Sequence, residues 1–83
     1  MQCSVFRSNR REYTYIYLLE GKSFDDIPDA LTRVFGEPEF VIDLELSPGR
    51  QLAQEDVQVV MQNLDENGFH LQMPPGDDGG DLL

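Results

Sequence analysis

Hydrophobic and polar residues alternate with a period of two near the start of the chain, the spacing of a β-strand. In "QCSVFR", residues 2–7, Cys3 and Val5 fall on one side, with Ser4 and Phe6 on the other. "SNRRE" follows as a polar turn, with Ser8 and Asn9 suited to turning the chain. "YTYIYLL" then resumes the alternation in residues that favour strands. Two strands joined so closely predict an antiparallel hairpin. Tyr13, Tyr15 and Tyr17 would share one face of it.

The period then changes to that of a helix. In "IPDALTRVFG", Ile27, Leu31, Val34 and Phe35 form one apolar stripe. Pro28 presets the first turn, Asp25, Asp26 and Asp29 suit the positive end of the helix dipole, and Gly36 suits a C-terminal cap. "EFVIDLEL" predicts a third strand that buries Phe40, Ile42 and Leu44, with Leu46 at its end on the same side, and turns Asp43 and Glu45 outward. A second helix is predicted from Ala53 to Glu66, with Val57, Val60, Met61 and Leu64 on its apolar side and Asn67-Gly68 as its stop. "FHLQM" sets Phe69, Leu71 and Met73 against His70 and Gln72 as a last strand, at a sheet edge, ended by Pro74-Pro75.

The expected fold is α+β, in two layers: a four-stranded, mostly antiparallel sheet with two helices on one face, in the order β-β-α-β-α-β. Residues 1–75 would form the single domain, and 76–83 an acidic, disordered tail. On this arrangement the tyrosines lie on the face the helices leave open, beside His70 and Gln72.

Charge sharpens the picture. The formal net charge is −10, but residues 1–19 hold Arg7, Arg10 and Arg11 against Glu12 alone. Most of the surface would therefore repel nucleic acid and acidic membranes. No run approaches the roughly 18 apolar residues of a membrane span, and no long apolar leader stretch opens the chain, so a cytoplasmic protein is expected. One cysteine, Cys3, excludes an internal disulfide framework and reads as a buried structural thiol. No cofactor or metal is expected: the Asp pairs lack calcium-loop spacing, and no glycine-rich phosphate loop is present. No catalytic set is visible either. His70, the only histidine, could at most meet Asp43 or a tyrosine hydroxyl.

"CSVFRSNRREYTYIYL", "IPDALTRVFG" and "NGFHLQMPP" together resemble the YcgL-domain family, small proteins of Gammaproteobacteria, over about residues 1–75. The resemblance implies a compact α/β domain. It implies no activity and gives no catalytic residue.

The candidate surface is therefore Tyr13, Tyr15, Tyr17, Arg10, Arg11, His70 and Gln72, read as a binding face of a non-catalytic interaction or regulatory module, with packing of the tyrosines against their cross-strand neighbours as the structural alternative. A basic protein, such as a nucleic-acid-processing enzyme, would complement so acidic a domain. Two alternatives use the same residues. Tyrosines beside arginines could stack single-stranded bases, although the net charge disfavours nucleic acid as a direct ligand. A small acid-base enzyme centred on His70 is the third.

Overall fold

The computed structural model describes residues 1–52 and 55–74. The elements are β1 (Gln2–Ser8), β2 (Tyr15–Leu19), a 3-10 turn (Phe24–Asp26), α1 (Asp29–Phe35), β3 (Pro38–Glu45), α2 (Val57–Asn67) and β4 (Phe69–Gln72). The expected tail, 76–83, lies outside the described residues, as do residues 53 and 54 where the second helix was expected to begin.

Local chemistry sets the boundaries. Ser23 accepts from the Asp25 backbone N–H while Asp26 reaches back to the Ser23 N–H, a capping box that opens the 3-10 turn. Asp56 caps α2 by accepting from the Gln58 N–H at 2.9 Å, which is why that helix begins at Val57. Gly68, with φ 85°, supplies its left-handed stop and returns its N–H to Leu64 O.

All four strands pair antiparallel in the order β3-β1-β2-β4. Fold class, strand number, pairing and element order are those expected, and β4 lies at an edge. The layering differs. Cross-strand partners share a face, so Cys3, Val5, Tyr17 and Leu19 lie on one side, with His70 opposite Tyr17. That side is covered by Val57, Val60 and Leu64 of α2. Ile16 and Leu18, with Phe6, Phe69 and Leu71, lie on the other, covered by Ile27, Leu31 and Phe35 of the α1 segment. The helices occupy opposite faces, giving three layers rather than two. The reason is in β2: "YIYLL" is apolar or aromatic at every position, so the sheet needs cover on both sides. Each helix, with its single stripe, covers one.

The outer strand β3 also departs from expectation. α2 packs over β2 and β4, at the far side of the sheet. Phe40 is 60% exposed and Ile42 48%, although both were expected to be buried. Leu44 is half-buried, and the fully buried side chain is Leu46, just past the strand. A bulge contributes to this. Val5 faces Ile42 but Phe6 faces Phe40, so Val41 is an extra residue with no partner on β1.

Candidate functional site

The sequence-predicted surface divides into two parts. Tyr15, Tyr17, His70 and Gln72 are adjacent, because β2 and β4 pair Tyr15 with Gln72 and Tyr17 with His70. They are not an open face. Tyr17 is 6% exposed and His70 8%, beneath α2, while Tyr15 and Gln72 are half-buried. Tyr13, Arg10 and Arg11 lie elsewhere, in the exposed β1–β2 turn. Tyr13 leaves the strand pattern altogether: it takes φ 57°, which reverses the chain before β2 starts at Tyr15.

Tyr17, His70 and Gln72 form a polar seam with Asn63 and Glu55 at the edge of the core. The Tyr17 hydroxyl donates to Gln72 Oε1 at 2.9 Å, and its ring meets the His70 ring edge-on at 5.7 Å between centroids. Asn63 Nδ2, on α2, lies 2.8 Å from His70 Nδ1. An amide NH2 donates, so Nδ1 accepts and the ring proton sits on Nε2, which donates to Glu55 Oε1 at 2.7 Å. Both imidazole nitrogens are thereby satisfied, which is the condition for placing histidine in a core. Burial raises the Tyr17 pKa above its ordinary value, with Glu55 and then Cys3 adding to the effect. Burial likewise raises the Cys3 thiol, against the opposing pull of the N-terminal ammonium and Arg50.

The carboxylate beside His70 is Glu55, whereas the sequence suggested Asp43. Asp43 lies across the sheet on β3 and accepts from the Ser4 hydroxyl. His70 is not in the wall of any of three surface concavities of about 260, 270 and 380 Å³. Glu55, the partner of His70, does line one of them, the concavity of about 380 Å³ that it shares with Arg50, Leu52 and Asp56. Among the described residues, no three His, Cys, Asp or Glu side chains group as metal ligands. No helix there is long and apolar enough to cross a membrane.

What the sequence reading missed is β3. Phe40, Val41 and Ile42 are three consecutive large apolar residues, each 46% exposed or more. Phe40 shares the α1 face with Phe6, edge-on at 5.8 Å, and Ile42 shares the α2 face with Val5. One side of β3 is paired with β1, and among the described residues the other carries no strand. Glu37, Glu39, Asp43 and Glu45 surround this apolar triplet without a single cation among residues 37–45. The signal was present in the sequence: "EFVI" has no polar residue at either parity after Glu39, unlike a strand with one wet face.

The family model for the YcgL domain matches residues 3–75. A YcgL domain-containing protein of Thioalkalivibrio sulfidiphilus is 53% identical over 75 residues, covering 90% of this chain and 93% of its own. Relatives of the same description in Pseudomonas aeruginosa and Pseudomonas fluorescens are 47% and 43% identical over 76 residues, covering 92% of this chain and 78% of theirs. The chain belongs to the YcgL-domain family. The resemblance seen in three sequence stretches therefore holds over nearly the whole domain. In structural terms, those stretches supply β1 with its turn and β2, α1 with its glycine cap, and β4. The exposed β3 triplet lies between them.

Proposed function

We propose that this YcgL domain is a non-catalytic protein-interaction module that docks a basic, extended segment of its partner along the free edge of β3. The observation that carries the reading is the exposed triplet Phe40, Val41 and Ile42 on an edge without a strand neighbour among the described residues. An open edge offers a row of backbone N–H and C=O groups, and an added strand satisfies them while its side chains meet the apolar ones.

Charge selects the occupant. A second copy added antiparallel about Val41 would set Glu39 against Asp43 and Glu37 against Glu45. Moving the axis to Ile42 would set Glu39 against Glu45. Like charges directly opposite are destabilising, and with the bulge they protect the edge against self-association. A strand carrying lysine or arginine meets Glu37, Asp43 and Glu45 favourably, Glu39 being paired with Arg7 already, and the net charge of −10 steers a basic protein toward the domain. A basic protein that processes nucleic acid fits this description, and it is reached without direct nucleic-acid binding. Of the tyrosine rings that would stack bases, Tyr17 is buried beneath α2, Tyr15 is half-buried and Tyr13 stands apart in the turn.

The test is co-purification from the native host with nuclease treatment, followed by amide hydrogen exchange on the isolated complex. The expected partner is basic, protects the β3 amides, and is lost in a Phe40→Lys/Ile42→Lys variant that keeps its thermal transition. A partner retained by that variant, or one that leaves β3 exchange unchanged, overturns the reading.

A further inference from the structure

The β1–β2 turn is held in place from several directions. The buried Ser8 hydroxyl donates to Phe35 O and accepts from the backbone N–H groups of both Arg10 and Arg11, at 3.0 and 2.9 Å. Asn9 Oδ1 accepts from the Glu37 N–H at 2.9 Å, tying the turn to the chain beyond α1. Gly36 permits that approach: a Cβ there would lie 2.6 Å from Arg10 Cγ. Tyr13 is the only non-glycine residue with positive φ among those described. A bulky side chain persists in that conformation where its surroundings over-determine it, a condition that recurs at ligand sites.

Two concavities meet at this turn. One, of about 260 Å³, is lined by residues 7–13 and Tyr15, including Arg7, Arg10 and Arg11. The other, of about 270 Å³, has apolar walls from Leu31, Val34 and Phe35 of α1 and from Leu71 and Met73. Arg11 lines both. Arg7 is paired with Glu39 at 3.0 Å, whereas Arg10 and Arg11 have no carboxylate within ion-pair distance among the described residues. The anchored turn backbone thus places Arg11 at the mouth of an apolar slot of small-molecule size, with Arg10 beside it in the adjoining concavity.

We propose that this is a binding site for a small amphipathic monocarboxylate, with its head on Arg10 and Arg11 and its apolar body between α1 and β4. A guanidinium fork matches a carboxylate in two parallel hydrogen bonds. Glu12, in the wall of the same concavity, opposes a second negative charge and so favours a monoanion over a phosphate dianion. The site is separate from β3 and does not depend on the docking reading.

The probe is octanoate, added to ¹⁵N-labelled full-length protein and followed by amide shifts, with acetate (head alone) and octanol (body alone) as controls. Each methylene buried is worth about fourfold in affinity, so octanoate is expected to bind at least about tenfold more tightly than acetate. The saturating shifts fall on Arg10, Arg11, Val34 and Leu71. Arg11→Glu lowers octanoate affinity at least about tenfold with the thermal transition unchanged. Val34→Asp, at an exposed position, abolishes the advantage over acetate. Equal binding of acetate and octanoate, equal binding of octanol, no effect of Arg11→Glu, or shifts confined to β3 would each overturn the proposal. So would shifts that follow protein concentration, which would indicate a second copy in the groove.

Discussion

Replacing the three tyrosines in turn separates the covered face from the turn, and Tyr17 is the informative position. Its ring is buried among Val5, Val60 and Leu64, and its hydroxyl donates to Gln72 at 2.9 Å. Tyr17→Phe keeps the ring and removes one partly buried hydrogen bond, at a cost of about 1 kcal/mol. In a domain of this size that lowers Tm by about 4–8 °C. Tyr17→Ser removes the ring and leaves a cavity under α2, costing about 3–5 kcal/mol. At roughly 0.05–0.15 kcal/mol per residue, a chain of 83 residues has about 4–12 kcal/mol in all. The serine variant is therefore expected to be largely unfolded or to melt far below the parent. Tyr15→Ser, at a half-buried position, falls between. Tyr13→Ser, 62% exposed in the turn, stays within about 0.5 kcal/mol. Urea titration read by circular dichroism measures all four, with an unchanged m-value establishing that stability alone has moved. A cost below about 1 kcal/mol for Tyr17→Ser would refute the burial of this face, and with it the placement of α2.

Three further outcomes follow from the same geometry. Gly36→Ala forces a side chain into φ 79°, ψ −153°, and sets its Cβ against Asn9 and Arg10, so a loss of about 2 kcal/mol or more is expected on chemical denaturation. Ser8→Ala strips one carbonyl and two amides of their shared partner, costing about 1–3 kcal/mol, and should raise hydrogen exchange at Arg10 and Arg11. Cys3 and Tyr17 are acids whose pKa values are raised in the fold, so the unfolded chain loses their protons first. Their contribution is complete below the unfolded values near 9.0 and 10.0 and is lost as pH climbs through the folded ones. Denaturation midpoints should fall on the alkaline side, and Tyr17→Phe should make that fall shallower; an identical slope in the variant would exclude Tyr17 as a source.

Much of the fold was legible because local signals agreed. Asn67-Gly68 closed α2 as read, and Pro28 and Gly36 bracketed α1. The alternation in "FHLQM" gave β4 and set His70 and Gln72 on one side. Layering was harder to read. An amphipathic helix states that it has one apolar side, not which face of the sheet receives it. The deciding signal lay in β2, where Ile16 and Leu18 are as apolar as the tyrosines beside them. A strand without a polar parity belongs inside a sheet covered twice. The partners of His70 were beyond reach for a related reason: Glu55 and Asn63 come from and just before α2, and only the placement of that helix over β4 brings them to the ring. In β3 the apolar pattern was read as burial, because periodicity shows that residues share a face without showing whether anything covers it. Tyr13 continued the alternation on paper and left it in space, because the chain needed one left-handed residue to turn into β2.

Amide hydrogen exchange across residues 39–43, with and without the co-purified partner, tests the central claim most directly. Docking on the β3 edge predicts that exchange at Phe40, Val41 and Ile42 slows on binding and returns as salt weakens the complex, while the amides of β4 are unaffected. Binding that slows exchange elsewhere and leaves these three amides as fast as in the free domain would contradict it.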